Sequence, residues 1–223
     1  MRKLPSTFTL SLMLFCCAIS TLALTSFKAA ELTSASDVQF PGTSIASGIV
    51  VVDVSLDSKG EVSGIKVQRD VASLTAVATS AAGSWKYRPA YVDGGPQNSV
   101  LRAAFAFRPN AVFAAPPVFE PLERSEDSDT SPKPGYVLPS IQGVAYPAYP
   151  IDAATVGAVV VQVKLDAEGE ISDVKAIRSY NPFNRFSLEA ARKWKFGPAT
   201  FDGQPVASSV VIAFVFSAPA TSN

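Results

Sequence analysis

GAVVVQVKLDAEGEIS, Gly157 to Ser172, places Val159, Val161, Val163 and Leu165 at alternate positions, then an Asp-x-x-Gly turn and a second extended run. Alternation of this kind predicts a strand with one face committed to a core. Asp166 can accept bonds from nearby amides and Gly169 can take positive φ, so the pair predicts a tight hairpin. Almost the same phrase stands earlier as GIVVVDVSLDSKGEVS, Gly48 to Ser63, with Val50, Val52, Val54 and Leu56 at the matching places. A shift of 109 residues lays Gly48–Phe107 on Gly157–Phe216 without a gap, with about 25 of 60 positions identical. The chain is an internal duplication.

Each copy changes period twice. In the returning strand Ile171 and Val174 are three apart, as are Val62 and Ile65, so the alternation slips at one place in both copies and predicts a β-bulge. Phe183, Phe186, Ala190, Ala191 and Trp194 then recur at helical spacing, matched by Leu74, Val77, Ala81 and Trp85; Pro182 suits the start, and the helix is expected to end after the Trp. Val210, Ile212, Phe214 and Phe216 alternate again, as do Leu101, Ala103, Phe105 and Phe107. The expected class is α+β: two β-β-α-β domains, each a three-stranded antiparallel sheet packed on one helix. The expected divisions are a leader over 1–26, a first domain over 38–108, a linker over 109–140 and a second domain over 141–217. The linker holds seven prolines and the acids Glu123, Glu126, Asp127 and Asp129, which predicts a solvated, semi-rigid spacer without a core.

Among the 223 residues 48% are hydrophobic, enough for packed cores, and Lys plus Arg balance Asp plus Glu at 19 each. No basic field for nucleic acid is present. Arg2 and Lys3 precede the uncharged run Leu4 to Phe27, which contains LSLMLFCCAISTLAL and predicts export. Two outcomes are open for it: cleavage, with Ser26 or Ala30 near the cut, or retention as an inner-membrane anchor over residues 8–27 with the rest facing the periplasm. Neither Cys16 nor Cys17 follows the small residue that lipid modification requires. Both lie in the leader, so the remainder has no thiol for disulfides or metal, and the chain has no histidine.

This inventory predicts neither an enzyme nor a cofactor or metal site. Asp57 with Glu61, and Asp166 with Glu170, are read as hairpin turns, since an alternating strand resumes directly after each Gly where a calcium loop would continue. KWKFGPA, Lys193 to Ala199, is read as core plus helix end: Trp194 closes the apolar stripe, the lysines sit near the helix carboxyl end, and Pro198 stops it.

The same residues make the chain resemble the TonB carboxy-terminal domain family. Copy two carries YPxxA (Tyr149 to Ala153), the Val-rich hairpin, FSLEAARKWKFGPA (Phe186 to Ala199), DGQPV (Asp202 to Val206) and VVIAFVF (Val210 to Phe216); copy one carries Phe40-Pro41, its hairpin, Trp85 to Ala90 and Asp93-Gly94. The resemblance implies a Gram-negative periplasm and capture of an extended peptide, from an outer-membrane transporter, beside an edge strand. The edge so implied is Ser209, Val210, Val211, Ile212, Ala213, Phe214 and Val215, with Leu101 to Phe107 as its copy-one counterpart. Two functions follow: an exported binding module for a protein or peptide, and a divergent energy transducer held in the inner membrane. The sequence departs from the family's transducers in lacking a histidine, in having little spacer before copy one, and in placing Gly197 where a basic residue is usual and Arg88 stands in copy one. A third expectation concerns the faces turned away from each core. Val160, Val211, Ala213 and Val215 in copy two, and Ile49, Val51, Ala104 and Ala106 in copy one, are apolar there, so the copies should pack together or dimerise through them.

Overall fold

A computed structural model of the chain describes residues 25–42, 46–108, 119–121, 135–149 and 155–217. In chain order the first unit contains β1 (Phe27–Lys28), β2 (Glu31–Ser34), β3 (Gly48–Leu56), β4 (Val62–Arg69), α1 (Thr75–Ser84), β5 (Lys86–Arg88), β6 (Ala90–Val92), β7 (Gly95–Gln97) and β8 (Ser99–Arg108). A short β9 (Phe119–Pro121) follows. The second unit contains β10 (Tyr136–Val137), β11 (Ile141–Ala145), β12 (Gly157–Leu165), β13 (Ile171–Arg178), α2 (Asn184–Ala191), β14 (Lys195–Phe196), β15 (Ala199–Phe201), β16 (Gln204–Val206) and β17 (Ser208–Phe216).

The hairpins form as their sequences require. Asp57 Oδ1 accepts the amides of Lys59 and Glu61, and Asp166 Oδ1 those of Glu168 and Glu170. Gly169 sits at φ +86°, and a Cβ there would meet the backbone of Gly197 and Pro198 at 2.8 Å, so this turn admits no side chain. The slip in alternation is a bulge in both copies: Leu56 pairs with Val62 but Ser55 with Gly64, and Leu165 pairs with Ile171 but Lys164 with Asp173.

The expected pair of separate three-stranded sheets is instead one sheet of six strands in the order β13-β12-β17-β8-β3-β4. All neighbours are antiparallel except β17 and β8, which run parallel, with Val210 opposite Arg102 and Phe216 opposite Arg108. Because β8 and β17 run parallel while their own neighbours, β3 and β12, lie on opposite sides of the pair, the copies are related by a half-turn about the strand direction, which turns one over relative to the other. Hence α1 and the copy-one core (Val50, Val52, Val54, Leu101, Phe105) occupy one face, and α2 and the copy-two core (Val159, Val161, Val163, Ile212, Phe214) the opposite face.

The turned-over arrangement explains the apolar outer faces. Val160, Val211, Ala213 and Val215 join the core beneath α1, while Ile49, Val51, Ala104 and Ala106 join the core beneath α2, and all are buried. The expectation that the copies pack through these positions holds, with each outer face completing the other copy's core. Two extended straps, residues 25–42 and 135–149, cover what the helices leave open: β2 pairs with β5, and β11 with β14 and β9.

Three sequence expectations change. Both helices end before their tryptophan: Trp85 caps α1 in extended backbone, and Trp194 lies in the turn after Ala191. Phe186 is half-exposed under Arg185, with Ser187 taking the buried position, because the helix presents 183, 187 and 190 to the sheet. The first unit also begins well before residue 38 and the linker stops well before 140. Phe27 and Tyr136, 109 residues apart, are equivalent, and both belong to strands that pair with their own units. Most of the leader and the remaining linker, 1–24, 109–118 and 122–134, lie outside the described residues.

Substituting Val160→Lys or Val215→Lys should lower unfolding stability by at least about 3 kcal/mol, because an unpaired ammonium would be placed inside a core. Val156→Lys, at a position 48% exposed, should change it by less than about 0.5 kcal/mol. Urea unfolding of the three variants measures both.

Candidate functional site

The residues expected to form an accepting edge, Ser209 to Val215, lie in the interior of the sheet. β17 is paired with β12 on one side and β8 on the other, and every residue from Ser208 to Phe216 is buried. Arg102 to Phe107 are likewise paired on both sides, by β3 and β17, and Leu101 is paired with β3. The edge reading fails here because the two final strands satisfy each other. Their sequences suit this: Val210–Phe216 is a continuous apolar run, the signature of a strand covered on both faces, and the alternating set noted in the sequence is only half of it.

Polar groups fasten the straps across the seam. Leu32 N–H donates to Gln162 Oε1 at 2.9 Å, Ser209 Oγ donates to the carbonyl of Ala30, and Arg178 forms a 2.8 Å ion pair with Asp37. In the other direction Arg102 Nη1 donates to the carbonyl of Pro139 at 2.9 Å. Arg102 is itself clamped by Asp53 through two bonds of 2.8 and 2.9 Å, and Gln68 donates to the same carboxylate. The ion pair is nearly buried, with side-chain exposures of 19% and 9%, and it is confined to one copy: Gln162 and Val211 stand at the equivalent positions.

The other candidate residues take structural places. Trp194 is buried and donates Nε1–H to the carbonyl of Ala145, and Phe196 is buried while Lys195 is exposed. Backbone amides, that of Glu61 foremost, hold the Asp57 carboxyl below its ordinary range, as expected of a turn acceptor. Burial pushes the Tyr87 hydroxyl well above the usual phenol range, and it donates to the carbonyl of Ala82. Gly197 owes its identity to the second strap, since its N–H bonds the carbonyl of Ser140 and a Cβ would meet Ser140 Oγ at 2.5 Å. At the same position in copy one, Arg88 instead pairs with Glu31 at 2.8 Å. Among the described residues no group of three or more Cys, Asp or Glu side chains is placed to hold a metal ion, and no helix is long and apolar enough to cross a membrane.

What the six-stranded sheet leaves open are its outer strands, β4 and β13. The fold defines a class: two related α+β units joined edge to edge in one sheet. The chain belongs to the family of the Gram-negative bacterial TonB protein C-terminal domain, whose model matches residues 45–109 and 142–218, well over half of the sequence. It is 34% identical over 74 residues to Protein TonB from two strains of Xanthomonas campestris pv. campestris, covering 32% of this chain and 33% of each relative. The match thus spans about a third of the length of those curated relatives. No solved structure matches the chain significantly.

Replacing Arg102 by Met should cost about 2–4 kcal/mol, because it strands the Asp53 carboxylate under the strap. Adding Asp53→Leu should restore most of that loss, as measured by urea unfolding.

Proposed function

We propose that this protein serves outer-membrane transport in a Gram-negative cell envelope as a divergent TonB-type energy transducer, with its apolar leader held in the inner membrane and the paired modules in the periplasm. The partner is a protein, an outer-membrane receptor of the TonB-dependent kind. The observation that carries this reading is the double family match, supported by the likeness to proteins named TonB. Within it, each unit contributes the β-β-α-β succession as its share of the fused sheet, and the chain works without catalysis of its own.

A second reading, a cleaved and freely moving periplasmic binding module, is favoured by one observation. The amide and carbonyl of Ser26 are both bonded to Asp93, at 2.8 Å each, and Phe27 stacks on Tyr136 and Phe201. The fold therefore starts directly after the apolar run, which leaves almost no spacer for reaching the outer membrane from an anchor. The same contacts argue that processing, where it happens, falls at or before Ser26, since cutting near Ala30 would remove β1.

Deleting the gene should reduce energy-dependent uptake through at least one outer-membrane receptor. A copy with an uncleavable leader should restore uptake, and one exported with an efficiently cleaved signal should not. Restoration by the cleaved form alone would remove the transducer reading and leave the binding module. Mass spectrometry of the mature protein should find an amino terminus no later than Ser26.

A further inference from the structure

We propose that the free edge of β4 is a strand-addition site for an extended partner segment that alternates acidic and apolar side chains. The inference rests on the protein-partner reading above and names the surface that reading would use.

The two outer strands of the sheet are equivalent by repeat but not by surroundings. On β13, Arg178 is held by Asp37 of the first strap. The matching positions are Arg69 on β4 and Tyr146 on the second strap, so this ion pair has no counterpart. Lys66, Val67, Gln68 and Arg69 are all exposed, and Val67 at 38% is among the few large apolar side chains on the described surface. Among the described residues neither Lys66 nor Arg69 is paired with a carboxylate. Asp53, opposite Lys66, is occupied by Arg102 and Gln68, and Asp70, next to Arg69 in the chain, by the hydroxyl of Thr75.

Register assigns these side chains to faces. Ile65 and Val67 lie opposite Val54 and Val52, which belong to the core beneath α1. Lys66 lies opposite Asp53, and Arg69, across the second bulge, opposite Val51 in the core beneath α2. Both free cations thus share one face and the apolar pair shares the other. A strand bonded to β4 would set alternate side chains beside Lys66 and Arg69 and the rest beside Ile65 and Val67. Open backbone groups alone accept any strand; the cations refuse a basic one, and refuse the β4 edge of a second copy by placing like charges together. An alternating acidic and apolar segment meets both faces.

The test uses the full chain and two synthetic peptides as long as β4, one alternating valine with glutamate and one alternating valine with lysine. Fluorescence anisotropy should show the glutamate peptide binding at least about tenfold more tightly, with the preference weakening as salt is raised. Hydrogen exchange should show new protection confined to the amides of Val62–Arg69. Lys66→Glu with Arg69→Glu, both at exposed positions and checked for an unchanged unfolding midpoint, should reverse the preference. Equal binding of the two peptides, no binding of the glutamate peptide, protection on Ile171–Arg178 instead, or self-association through β4 would each overturn the proposal. A chain that supports receptor-dependent uptake yet fails this test loses the site and keeps the transport role.

Discussion

The parallel pairing of β8 with β17 is the contact on which the remainder of this structure depends. It fuses two sheets that would each have had an open edge, and because it joins equivalent strands in parallel it turns the second copy over. From that follow the helices on opposite faces, the outer apolar face of each copy serving as floor for the other's core, and the straps that close each side. Domains of about sixty residues are marginal alone, and this arrangement lets both share one buried sheet. The two cores differ in detail: a nearly buried Asp53–Arg102 pair anchors one strap, whereas Gln162 and Ser209 anchor the other.

The pairing also decides which strands are left at the edges of the sheet. Parting β8 from β17 would bring apolar side chains on both faces into water. At roughly 1.5–3 kcal/mol for each large side chain fully exposed, about four or five of them would match the whole stability of a typical domain, about 5–15 kcal/mol. The seam is therefore a permanent joint rather than a gate, and within the six-stranded sheet only the outer strands keep an unpaired edge. Edge strands carrying lysine and bulges resist indiscriminate pairing, and β4 has both features.

Much of each unit was legible in the sequence because local rules govern it. The hairpin with its Asp and Gly, the bulge at Ser63 and Ser172, and the apolar stripe of the helix are all short-range features written twice. The outward apolar positions, from Val160 to Ala106, correctly signalled that the copies pack together. The sequence did not reveal how, because periodicity assigns a residue to a face and not a strand to a neighbour. Val210, Ile212 and Phe214 on one face and Val211, Ala213 and Val215 on the other together make a strand buried on both sides, which the resemblance to an edge-binding family obscured. The straps were missed for a simpler reason: apart from the aromatics at Phe27 and Tyr136 and at Phe40 and Tyr149, and the aliphatic at Leu32 and Ile141, their two versions share little.

The chain's two tryptophans permit a direct test of the single-sheet account, for Trp85 is buried in the first unit and Trp194 in the second. Fluorescence of the Trp85→Phe and Trp194→Phe variants during urea unfolding, compared with circular dichroism of each, reports on the units separately. If the sheet is one body, the optical probes of each variant will give one coincident transition, with a slope appropriate to the whole folded chain. A unit that loses its tryptophan signal at a distinct denaturant concentration while the other remains folded would contradict the account.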